Sequence, residues 1–191
     1  MKRLIYITIV AFATNIGKKA RIMDRRIIKT KKALIKAFID LRKEDGEKIP
    51  LVKDLCERAD VNKTTFYRHY KNIDGLILDA CKVIVETIIG DGKFVSFLIT
   101  DPEKFLKINI ERFDTYSADV KAVGSCAPEV FFHVFQERTA REFRKITHRD
   151  IDDDVLQFIA GGVARVVIEL KRHKEETLQK IARMIHIIIN N

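Results

Sequence analysis

The chain has no tryptophan, and its 191 residues include only three prolines, eight glycines and three cysteines. So few turn-forming residues argue against a sheet of many short strands and favour long helices with short connections. Cys56, Cys81 and Cys126 are widely spaced with no C-x-x-C pair, so they encode neither a disulfide framework nor a zinc module. Cys56 and Cys81 stand among apolar helical positions and read as small buried side chains, which suits a reducing cytoplasm. The sequence shows no G-x-S-x-G, no phosphate-binding loop and no Cys–His pairing, so it is read as no enzyme and as needing no cofactor. Glu129 and His133, like Glu169 and His173, stand one helical turn apart, but that interval is wrong for a di-iron bundle and no metal site is expected.

Positive charge is plentiful, and it is concentrated. Residues 18–71 hold 17 Lys/Arg against 8 Asp/Glu, whereas residues 72–191 hold 17 against 19. The net charge of +9 therefore belongs to the N-terminal third, which implies a polyanion partner for that third alone.

Helical signals dominate throughout. A first helix is expected at about Arg25 to Lys43, with Ile27, Leu34, Phe38 and Leu41 on one stripe and Asp45-Gly46 as its stop. Pro50 at a first-turn position opens a second helix with Val52, Leu55 and Cys56 inward. Asp60 takes the turn and Asn62 caps a third helix, Lys63 to Lys71, through the amide of Thr65. That helix has only Phe66 as a plainly apolar residue, a poor composition for a core element and a good one for a DNA groove. Asn72 caps a long fourth helix, Ile73 to about Ile89, and Gly90-Asp91-Gly92 breaks it. Further helices are expected at Pro102–Ser117, Pro128–Ile146, Asp152–Arg172 and Glu175–Ile189, with a loop at Ala118–Ala127.

The second and third helices form a helix-turn-helix, whose second member lies in the major groove with its first residues at base edges. Lys63, Thr64 and Thr65 are then the base readers, while Lys53, Tyr67, Arg68, His69 and Lys71 suit phosphates. Phe66 is the expected anchor; Tyr67 and Tyr70 also suit partial burial, and His69 also suits plain solvation.

Thr30 to Leu78 resembles the N-terminal domain of TetR/AcrR-family transcriptional regulators, most distinctively in Thr65-Phe66-Tyr67-Arg68-His69-Tyr70. Asp60 stands where the family usually has Gly, and Ile73 where it usually has a phosphate-binding Lys. The resemblance covers about 50 residues and implies a homodimer that binds an inverted-repeat operator on double-stranded DNA and usually represses. It further implies that a small-molecule effector in the C-terminal body releases the DNA. The fold class expected is all-α: a three-helix head joined by the fourth helix to a helical-bundle dimerisation and effector domain. The divisions are residues 1–22, an extension; 23–72, the head; and 73–191, the body.

Residues 1–22 carry Lys2-Arg3, an apolar run from Leu4 to Ala13 and an A-x-A at Ala11–Ala13, the outline of a short signal peptide. The run is too short to span a bilayer as a helix. A functional start at Met23, or a dispensable extension, fits a basic helix-turn-helix better than export does. In the body, Phe158, Gly162 and Val166 mark one apolar stripe and Leu178, Ile181 and Ile185 another, together the expected dimer face. Phe105, Phe113, Phe131 and Phe135 line the expected pocket for a hydrophobic effector, although phenylalanines on amphipathic helices equally build a core. The competing reading is a helical interaction or adaptor protein whose basic head binds another acidic partner.

Overall fold

The computed structural model describes residues 25–46, 48–148, 152–169 and 175–190, which are helical with no strand among them. Residues 1–22, and with them the extension and the Met23 alternative, lie outside the described residues. The helices are α1 Arg25–Glu44, α2 Val52–Ala59, α3 Lys63–His69, α4 Ile73–Ile89, α5 Phe97–Thr100, α6 Pro102–Thr115, α7 Ser117–Gly124, α8 Pro128–Thr147, α9 Asp153–Glu169 and α10 Glu175–Asn190. A 3-10 turn, Lys93–Ser96, precedes α5. None of the described helices is long and apolar enough to cross a membrane.

Two compact units divide the chain. The first joins residues up to Thr87 with Ala118–Phe131, so the expected boundary at 72/73 falls inside it. Its core is built on α1, where Leu34, Ile35, Ala37, Phe38 and Ile39 turn inward at helical spacing, and α2 and α3 pack on α1. Leu34 and Phe38 are fully buried, each worth about 1.5–3 kcal/mol relative to exposure.

Ala118–Ala127, expected to be a loop, is instead helical through Gly124. The reason is a buried arginine that the periodicity of α1 does not reveal. Arg42 donates from Nε to the Ala122 carbonyl (2.9 Å), from Nη2 to Ser125 Oγ (2.7 Å) and from Nη1 to the Lys48 carbonyl (2.9 Å). Lys43 pairs with the buried Asp119 at 2.6 Å, so polar contacts join α7 to α1 beside its buried Ala122 and Val123. Pro50 also differs from expectation: it precedes Leu51, the residue flanking α2, and lies outside the helix.

The second unit comprises Ile88–Ser117 and the residues from Phe132 onward, with α6 as its hub. The Asp101 side chain caps α6 by accepting the Lys104 amide at 3.0 Å, and Pro102 occupies its first turn. α5, α9 and α10 pack against α6. At the end of α4, Gly90 (φ 59°) and Gly92 (φ 70°) take left-handed backbone, and Arg112 donates to the freed carbonyl of Ile88 at 2.7 Å.

Candidate nucleic-acid interface

The turn between α2 and α3 is closed by backbone geometry. Asp60 adopts the left-handed conformation (φ 53°, ψ 50°), which Asp tolerates better than most residues. The Val61 amide returns to the Cys56 carbonyl at 3.0 Å and the Asp60 amide to Glu57 at 3.3 Å, completing the carbonyl cap of α2. Asn62 then stands in extended conformation and accepts the Thr65 amide at 2.7 Å, starting α3.

α3 presents its two sides differently. Phe66 is fully buried and Tyr70, one turn later, is buried beside it with ring centroids 5.8 Å apart. The Tyr70 hydroxyl donates to Asp79 Oδ2 (3.1 Å), the same oxygen that holds Lys31 Nζ at 2.9 Å, so one carboxylate ties α1, the end of α3 and α4 together. Burial, then the Asp79 charge, pushes the Tyr70 phenol well above its ordinary value, so it stays a donor. Of the two readings of Tyr70, the structure selects core.

The other side is open. Lys63, Thr64, Tyr67, Arg68 and Lys71 are exposed, Tyr67 to 57% although its ring edge rests on Phe66 at 5.3 Å. These positions form one outward stripe of donors and cations. Thr65 and His69 are half-buried at the border of that stripe. Burial, then the charges of Arg68 and Lys31, lowers the pKa of His69, so at neutral pH it offers an N–H rather than a full cation. Lys53 is exposed on α2 and pairs loosely with Glu57 at 3.8 Å. It opens on a groove of about 570 Å³ lined also by Cys56, Asp60, Val61, Asn62 and Lys63. Arg58 makes a double contact with Glu44 (2.8 and 2.7 Å), fixing α2 on α1; it raises the Arg58 pKa and lowers that of Glu44.

No protein-family profile matches the chain. An uncharacterized HTH-type transcriptional regulator of Bacillus subtilis (strain 168), YxbF, is 28% identical over 96 residues, 48% of this chain and 25% of that protein. The chain therefore spans about a quarter of the length of the curated relative it matches. A solved transcriptional regulator (TerR/AcrR family) from Aquifex aeolicus VF5 aligns at a TM-score of 0.48 and 20% identity over 82% of this chain and 95% of that one. By sequence the chain is similar to an HTH-type transcriptional regulator.

Two positions depart from the pattern of the family that Thr30 to Leu78 resembles. Asp60 occupies its turn without difficulty, its left-handed angles being those a glycine would supply. Ile73 is half-buried at the start of α4, and the exposed lysine nearest in sequence is Lys71.

In the second unit the residues expected at a dimer face separate into two groups. Phe158 (71% exposed) and Gly162 lie open on α9, and nothing approaches within 4 Å of where a Gly162 β-carbon would stand. Leu178 and Ile185 are buried within a single chain, because α10 turns them toward α5 and α6, and Ile181 is half-buried. The apolar residues that α10 leaves exposed are Met184, Ile187 and Ile188. The Val166 side chain lies outside the described residues. Gly161 has a reason within one chain: the Gln136 amide lies where its β-carbon would be and donates to the Gln157 carbonyl at 3.0 Å. Phe105, Phe113, Phe131 and Phe135 are all buried; Phe113 meets Phe135 edge to face, and Phe105 stacks on Phe94. Phe131 is grouped with the first unit and lies against Gly124.

Proposed function

We infer that this chain is a DNA-binding transcriptional regulator of the TetR type, a repressor that grips an inverted-repeat operator as a homodimer in the cytoplasm. The observation that carries the reading is the open stripe of α3, with Lys63, Thr64, Tyr67 and Arg68 exposed on a helix locked from behind by Phe66 and Tyr70, and Lys71 exposed just past its end. Lys63 and Thr64 lead the helix and read base edges; Thr65 contributes from its half-buried position. Tyr67, Arg68, His69, Lys71 and Lys53 hold phosphates, Lys53 exchanging Glu57 for the DNA. A second copy of the chain covers the open apolar face of α9 and α10 at Phe158, Gly162, Met184, Ile187 and Ile188. A small hydrophobic effector in the phenylalanine-rich body relieves repression.

Selection from random duplex DNA with the full chain tests this reading. The expected product is an inverted repeat with half-site centres about 34–36 Å apart, one helical turn. Retention on heparin with no sequence enriched from the duplex pool would instead support the adaptor reading.

A further inference from the structure

The start of α1 is held by little of its own packing. None of its residues before Leu34 is buried, so about two and a half turns add little to the core of the first unit. Turns of that kind gain small stability from propensity alone.

Their charges make matters worse. Arg25, Lys29 and Lys32 follow one another at spacings of four and three, on one face of the helix. Like charges so spaced repel, and cations at a helix N-terminus meet the positive end of its dipole. The first turn holds no acid, and the first carboxylate of α1 is Asp40. That carboxylate pairs with Lys36, the next cation of the same stripe. Among the described residues Arg25 and Lys29, both exposed, pair with no carboxylate. The charge that would offset them comes from outside the helix.

Lys31 fixes where these turns lie. Its Nζ holds Asp79 Oδ2 of α4 at 2.9 Å and stands 4.9 Å from the centroid of the Tyr70 ring, just past the end of α3. Burial, then Arg68, then Lys31 depress the pKa of His69, so the Lys31 charge also reaches the last residue of α3. At a rise of about 1.5 Å per residue, Lys29 stands about 3 Å and Arg25 about 9 Å back from Lys31 along the axis. Both distances lie within or close to the Debye length of about 8 Å at physiological salt, so one polyanion serves α1 and the end of α3 together.

We propose that the first turns of α1 are a second grip on duplex DNA, with Arg25 and Lys29 holding backbone phosphates that continue the row held by Arg68, His69 and Lys71. The inference rests on the regulator reading and adds to it a contact outside the helix-turn-helix that carries no base preference. Phosphates there relieve the repulsion between Arg25 and Lys29 and face the favourable end of the helix dipole. An anionic membrane would supply charge as well, but among the described residues α1 exposes no large apolar side chain to enter it.

Titration of the full chain against a random-sequence duplex over a salt series tests this grip without an operator. Arg25→Ala and Lys29→Ala should each reduce the slope of log K against log salt by about 0.9, one phosphate apiece. Arg25→Lys should keep the wild-type slope, as should Lys36→Ala, whose cation already has Asp40. Because each Ala variant removes a repelled cation and keeps a strong helix former, neither should lower Tm. An unchanged slope in either Ala variant, an equal fall in Lys36→Ala, or a lowered Tm would overturn the proposal. Ala variants that lose binding to phosphatidylserine vesicles while keeping the duplex slope would overturn it in favour of a membrane. A chain that holds no duplex at all would refute the regulator reading and this inference together. An unchanged slope in a chain that does bind refutes this inference alone.

Discussion

α3 and α6 are held in place in opposite ways. α3 has seven residues and buries only Phe66 within its length. It is secured at its ends, by the Asn62 cap and by Tyr70 bonded to Asp79. α6 has fourteen residues and buries Pro102, Phe105, Leu106, Asn109 and Phe113, with three helices packed along it. A helix secured at its ends keeps a side free, and on α3 that side is lined with cations and hydroxyls. α6, secured along one side, exposes only its opposite face, where Lys104, Lys107, Glu111 and Asp114 mix both signs of charge.

The largest expected effect tests whether the single anchor of α3 suffices. Phe66→Ala should cost about 3–5 kcal/mol in denaturant unfolding, with loss of DNA binding. A cost under about 1 kcal/mol, below that cavity range, would mean that α3 is held by something else.

The next contrast lies within the open stripe. Changing Lys63 or Thr64 should alter preference at individual base pairs by about 1–3 kcal/mol. Tyr67→Phe or His69→Ala should weaken binding to every duplex alike, and Arg68→Ala should reduce the slope of log K against log salt by about 1. Gel-shift titrations over a salt series read both, and unchanged affinity in all these variants would refute the interface.

The caps sharpen the comparison further. Asn62→Ala and Asp101→Ala each remove a side chain that accepts a helix-starting amide, at about 0.5–2 kcal/mol each. Losing the first should weaken DNA binding beyond its effect on stability, because it frays the reading end of α3. Losing the second should leave DNA affinity unchanged, and equal effects on binding would erase the distinction between the helices.

The smallest effect is that of pH. The lowered pKa of His69 means that the folded chain binds fewer protons than the unfolded one near the ordinary value of about 6.5. His69 therefore favours folding above that pH, and this contribution is lost as pH falls through about 6.5 toward the lower folded value. DNA affinity should move the other way, since a phosphate favours the protonated ring. Affinity that rises on acidification in the wild type and not in His69→Gln would confirm the binding sign, and denaturant unfolding of the two proteins over the same pH range reads the folding sign; equal affinity profiles would remove His69 from the interface.

The head was legible because its signals are local. Helix α1, the turn at Asp60, the caps at Asn62 and Asn72 and the break at Gly90 all depend on residues within a few positions of one another. The clamp of Arg42 on α7 was not legible, since its partners stand 80 and 83 residues away and arginine normally reads as surface. The second stripe of the body was half legible. Periodicity identified Leu178 and Ile185 as apolar, but which neighbour buries them is a tertiary matter, and α6 of the same chain does so.

The sequence by itself determined the helices, the concentration of charge in the first third and the identity of the residues on α3, because propensity, capping and charge act over short range. Only the tertiary structure decided which side of α3 faces out and which apolar residues remain uncovered on α9 and α10. Those outcomes depend on how distant helices approach one another.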